Sequence, residues 1–244
     1  MHQDIRYIFS KLRFSLLMAG IMTLAMVLQE FYHISLTYYG IYPRHTEGLW
    51  GIVFAPFLHA GWGHYFSNLF PIIALLFMME AFYPRVSRVA SLGITFLTGV
   101  LVWLFARHSF HIGASGLVYG LISFLFWSGI FRGNRRSIIL SLVVLTAYSS
   151  YFDGMQPREG ISWESHLFGA LAGMFFAFVL KTVKEEGEEP AESDYGIEKT
   201  YFLPRDTFQY TKEQRAAMLA EALRREEEMR RAALEGLGTT GDTL

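Results

Sequence analysis

Cysteine is absent from all 244 residues. Its absence excludes a disulfide-stapled scaffold, a thiolate zinc site and a cysteine nucleophile. Charge is scarce over most of the chain. Through Lys184 there are 13 Lys and Arg and 7 Asp and Glu, whereas the last 60 residues hold 8 and 15. Few soluble domains of that size carry so little charge. The formal net charge of −1 therefore averages two different segments, one at +6 and one at −7. No HExxH sequence occurs, which argues against a zinc hydrolase. No small-residue cleavage pattern follows the first apolar run, which is also too long for a cleaved signal peptide.

In place of charge there are six apolar runs, near 14–34, 63–82, 89–106, 115–130, 137–151 and 163–180. Most approach the roughly 20 residues that cross a bilayer core as a helix. Backbone in lipid must satisfy its own hydrogen bonds, so such spans are helical. The expectation is an all-α polytopic membrane protein: a bundle of six transmembrane helices over 1–184 and a charged tail over 185–244. An even number of spans puts both termini on one side. That side collects ten basic residues, from Arg6 to Lys184, against Arg44, Arg107 and Arg158 on the other. The bias assigns both termini to the cytoplasm. The compact size points to a bacterial inner (cell) membrane.

Two segments stand outside the spans. The first loop, 35–62, carries Tyr38, Tyr39, Tyr42, Trp50 and Trp62 with few charges. It reads either as a segment lying partly in the outer leaflet or as an ordinary structured outer loop. The tail opens with an acidic linker and then reads as a helix near 211–235, with Thr211 as N-cap and Gly236 as stop. Its apolar stripe (Met218, Leu219, Ala222, Leu223) is narrow, as in a solvated or weakly self-associating helix; a specific binding helix is the alternative.

Polar residues inside membrane spans are costly and mark candidate sites. Topology puts His64 and Asn68 of the second span, Ser115 of the fourth and His166 of the sixth in the outer third of the bilayer. Ser115 follows Gly113 and Ala114 and falls in a first helical turn, where unpaired N–H groups and the helix dipole suit a developing oxyanion. The plainer alternative is small-residue packing through Gly116 and Gly120. His166 precedes Gly169 and Gly173, one bare face that could meet Gly116 and Gly120 and bring His166 to Ser115. It could equally be a hydrogen-bonded packing histidine. Tyr119, four residues after Ser115, could buttress the imidazole. His64 and Asn68 share a helix face and could complete an oxyanion hole; His59 falls where the first loop enters the span. A histidine metal or haem site is the competing reading of His59, His64 and His166.

Three stretches together resemble the rhomboid family of intramembrane serine proteases: His59-Ala-Gly-Trp-Gly-His64-Tyr-Phe-Ser-Asn68, Gly113-Ala-Ser115-Gly116-Leu-Val-Tyr119-Gly120 and His166-Leu-Phe-Gly169-Ala-Leu-Ala-Gly173. The resemblance covers roughly 10–184 and leaves the tail outside. A Trp-Arg pair common in the first loop of many members is absent. The resemblance implies a rhomboid-like six-helix bundle and a Ser–His dyad without an acid. Ser115 would be the nucleophile and His166 the general base, later the acid. The Ser115 N–H, His64 and Asn68 would hold the oxyanion, and Tyr119 would orient His166 in place of a triad carboxylate. His59 would be structural, and Gly113, Gly116, Gly169 and Gly173 would support the site. The polar loop 153–160 would cap the site, with a plain connecting loop as the alternative, and the fifth span, with Tyr148 and Phe152, would move to admit substrate. Substrates would be single-span membrane proteins cut near the outer face. Neither metal, cofactor nor nucleic acid is called for. The alternatives are a non-catalytic rhomboid-like protein that binds membrane clients, and a histidine-based metal or ion transporter.

Overall fold

An apolar segment that cannot bond to water closes its backbone hydrogen bonds internally, and each of the six apolar runs does so as a helix. The computed structural model describes residues 2–158, 160–185 and 210–238. It divides into two compact units, Met1–Ala191 and Glu192–Leu244. In the first unit the helices are α1 (His2–Phe31), α2 (Gly51–Phe54), α3 (Trp62–Phe82), α4 (Ser87–Phe105), α5 (Ser115–Arg132), α6 (Arg135–Ala147) and α7 (Trp163–Val179). Short 3-10 turns break up the first loop and follow α6 at Ser149–Met155. A single antiparallel bridge, Ile41 with His111, is the one β-type pairing among the described residues.

By length and composition, α1, α3, α4 and α5 can each cross a membrane. The pair α6 and Ser149–Met155 makes a fifth crossing if it is one span, bent by 64°. At 17 residues α7 is apolar but short. Four or five spans therefore follow from length, against six apolar runs in the sequence.

Helix ends are set locally. Gly133, at φ +65°, closes α5, and the Asn134 side chain accepts the Ser137 N–H at 2.8 Å to open α6. At the same end of the bundle, buried Glu80 accepts from Ser87 Oγ at 2.9 Å and faces Arg88 at 3.2 Å. The Glu185 carboxylate accepts the backbone N–H groups of Arg85 and Val86 at 2.9 and 3.2 Å, just ahead of α4. Negative charge at a helix N-terminus is favourable, so the Glu185 carboxylate is well placed at the start of α4.

The core runs along α5, buried on most of its surface against α3, α4, α6 and α7. Its closest neighbour is α7. A Cβ placed on Gly169 would strike the Gly116 carbonyl, and one on Gly173 would strike the Gly120 carbonyl. Ser123 Oγ donates to the Ala170 carbonyl across this seam at 2.6 Å. The outward faces are apolar and exposed, as at Leu24, Phe70, Phe96, Leu142 and Phe175, the reverse of a soluble protein's surface.

The second unit holds α8 (Lys212–Gly238). Thr211 and Gln214 form a reciprocal capping box, each side chain accepting the other's backbone N–H. Met218, Leu219, Leu223 and Met229 are all exposed.

Candidate active site

Ser115 is the first residue of α5, and the loop before it is pinned from two sides. His111 exchanges both backbone hydrogen bonds with Ile41, at 3.0 and 2.9 Å. The Gly113 N–H donates to the Ala55 carbonyl at 2.8 Å. Gly113 has φ +106°, and a Cβ there would lie 2.6 Å from His64 Nε2. Only glycine meets both conditions. The outcome is a half-buried Ser115 hydroxyl at a helix N-terminus.

His166 lies in the first turn of α7 and is buried. The glycine seam lets α7 approach α5 until His166 Nε2 stands 2.9 Å from Ser115 Oγ. His166 Nδ1 stands 2.7 Å from the Gly154 carbonyl. A carbonyl can only accept, so Nδ1 carries the proton and Nε2 presents its lone pair to the serine hydroxyl. Tyr119 stacks on the imidazole with centroids 4.1 Å apart and planes 8° from parallel. Its hydroxyl donates to the Tyr151 carbonyl at 2.7 Å. The tyrosine fixes the ring plane, and the Gly154 carbonyl fixes the tautomer.

These groups line one cavity of about 1130 Å³, together with His64 and Asn68. Asn68 Nδ2 donates to the His64 carbonyl at 2.9 Å. The His64 ring and the Asn68 amide both converge on Gly113, two residues ahead of Ser115. His59 does not line the cavity. It is buried with its ring 5.0 Å from that of His64, and neither ring nitrogen has a well-formed hydrogen bond. Burial, and secondarily His64, push its pKa down to about 4, against a weaker upward pull from the Phe57 backbone. Its backbone carbonyl accepts from Gln29 of α1 at 3.0 Å.

The structure thus brings Ser115, His166, Tyr119, His64 and Asn68 to one cavity and leaves His59 behind it. The Gly154 carbonyl was invisible in the sequence, because a backbone acceptor has no side chain to announce it. Its only trace is the glycine itself: a Cβ on Gly154 would meet the Tyr119 hydroxyl and approach His166 Nδ1 to 3.3 Å.

The family model of the Rhomboid domain matches residues 46–182, a stretch that holds His64, Asn68, Ser115, Tyr119, Gly154 and His166. An uncharacterized protein of Mycobacterium tuberculosis is 39% identical over 153 residues, covering 58% of this chain and 63% of the relative. An uncharacterized protein of Mycobacterium leprae is 35% identical over 168 residues, 62% of this chain and 66% of the relative. The chain spans just under two thirds of the length of these curated relatives.

Proposed function

We propose, on the premise that this chain belongs to the rhomboid family, that it is an intramembrane serine endopeptidase using Ser115 and His166. The observation that carries the proposal is the pairing at 2.9 Å of the Ser115 hydroxyl with an imidazole nitrogen whose partner nitrogen is committed to the Gly154 carbonyl. In that tautomer Nε2 accepts the serine proton as Oγ attacks a substrate carbonyl. His166 then protonates the leaving amine, and water releases the acyl group by the reverse sequence. Negative charge on the tetrahedral oxygen would be met by the Ser115 N–H with the His64 and Asn68 side chains, each such donor contributing about 10²–10³ in rate.

Peptide hydrolysis inside a membrane needs water, and the cavity of about 1130 Å³ is lined by Arg107, Asp153 and Arg158 as well as by the dyad. These polar groups suit an opening to the outer aqueous phase. The chain then crosses the membrane six times, with α6 and its 3-10 extension as one bent span and α7 as a short one. Both termini then lie in the cytoplasm, and the cell membrane is the location. Substrates are single-span membrane proteins cut near the outer face, where a locally unwound helix exposes its carbonyls. The loop after α6 caps the cavity, and α6 moves to admit the substrate.

Labelling with a fluorophosphonate probe tests the dyad. Ser115 Oγ displaces fluoride from phosphorus while His166 takes the proton. Labelling should be lost in Ser115→Ala and in His166→Ala at unchanged melting temperature. A Ser115→Ala protein that labels like the parent would overturn the assignment.

A further inference from the structure

A second serine–histidine pair sits beside the first with the order of the residues exchanged. His111 lies four residues before Ser115, and Ser162 lies four residues before His166. His111 Nδ1 is hydrogen-bonded to Ser162 Oγ. His111 Nε2 stands 3.1 Å from the Arg107 carbonyl. That carbonyl can only accept, so Nε2 carries the proton and Nδ1 accepts the Ser162 hydroxyl. Burial lowers the His111 pKa, which keeps the ring neutral as this arrangement needs. Ser162 Oγ is bonded in turn to Ser165 Oγ at 2.6 Å, and the Ser165 carbonyl lies 3.2 Å from where a Gly116 Cβ would be. Around the same contact, Arg107 donates to the Ile161 carbonyl and faces buried Glu164 at 3.6 Å. The His111 backbone also pairs with Ile41 of the first loop.

We infer that His111 and Ser162 are positioning residues: their hydrogen bond clamps the loop entering α5 to the loop entering α7 and so sets the distance between Ser115 and His166. The two dyad residues lie on separate helices, 51 residues apart in sequence. Each helix begins at its dyad residue or within one turn of it. The glycine seam below fixes how closely the helices approach. The seam lies along the helices below the dyad, and the His111–Ser162 bond ties the two entering loops together at the end where the dyad sits. Misplacing a catalytic group by about 1 Å can cost about 10²-fold in rate, so a clamp one turn from the dyad acts on chemistry more than on binding.

The inference rests on the Ser115–His166 reading, and one probe separates the two. The full chain in detergent is reacted with a fluorophosphonate over a range of concentrations, giving kinact and KI. His111→Phe keeps a planar aromatic ring, somewhat larger than imidazole, and removes both nitrogens; Ser162→Ala removes the hydroxyl. Each should lower kinact about 10–100-fold with KI within about twofold. His111→Asn keeps an acceptor near the Nδ1 position and should recover kinact to within about threefold of the parent. The double variant His111→Phe/Ser162→Ala should be no slower than the worse single, because both remove one interaction. The clamp is overturned if Ser162→Ala reacts at the parental rate, or if His111→Asn loses as much as His111→Phe. Should His111→Phe not fold, Ser162→Ala and its rescue by Ser162→Thr carry the test. Ser115→Ala, run in parallel, reports on the dyad alone: if it is silent while the clamp variants react normally, only the clamp fails.

Discussion

Proton positions around His166 decide what Ser115 can do. A general base needs its acceptor nitrogen aimed at the nucleophile and its other nitrogen held by a partner that cannot donate. Here the partner is a neutral carbonyl, Gly154, rather than a carboxylate. A carbonyl orients the ring but stabilises the imidazolium less than a full charge would. The remaining orientation comes from the Tyr119 ring, stacked at 4.1 Å. Tyr119→Phe keeps the stack and loses only the bond to the Tyr151 carbonyl, so kinact for a fluorophosphonate should fall less than about tenfold. Tyr119→Ala frees the ring and should cost about 10²-fold. Equal losses in the two variants would mean that the hydroxyl, not the ring, is the support. Ser115, His166 and Tyr119 were legible in the sequence because a polar residue in an apolar run is conspicuous. Gly154, His111 and Ser162 were not. One acts through its backbone, and the others sit in loops where polar residues draw no notice.

Among the elements, the seam between α5 and α7 makes the site possible. Gly116, Gly120, Gly169 and Gly173 let two backbones meet where a Cβ on Gly169 would strike the Gly116 carbonyl. A backbone atom cannot swing aside as a side-chain end can. Gly169→Val should therefore destabilise the bundle by about 1–3 kcal/mol and separate Ser115 from His166. The checks are a lowered thermal midpoint and lost probe labelling well below that midpoint. A variant with parental labelling and stability would show that the seam has slack. The helices themselves were legible, since an apolar run in lipid has one way to satisfy its backbone. The bend after α6 was not. The run 137–151 continues apolar through Tyr148 and Tyr151, yet the α-helix stops at Ala147. Ser149 and Ser150 follow there, and the Ser149 hydroxyl bonds back to the Thr146 carbonyl at 3.3 Å. Such local bonds compete with helix continuation and leave no mark in a hydropathy pattern.

For the whole molecule, orientation is the property that gives the site its side of the membrane, and basic residues alone argue for it. The chain has no cysteine, so single cysteines report without background. Ser35→Cys in the first loop should react with a membrane-impermeant maleimide in intact cells. Arg135→Cys, at the first residue of α6, should react only after permeabilisation. The opposite pattern would invert the bundle and turn the cavity to the cytoplasm.

The Glu185 carboxylate, set on the Arg85 and Val86 N–H groups, has a mechanical consequence. Arg85 also holds the Lys184 carbonyl, and Arg132 holds those of Leu180 and Val183. Any load hung on the chain beyond Glu185 reaches this knot before it reaches α7. The knot ties the strain to the α3–α4 turn and to the end of α5 farthest from Ser115. Whatever pulls on the tail therefore pulls on an anchor, and His166 stays out of the line of force.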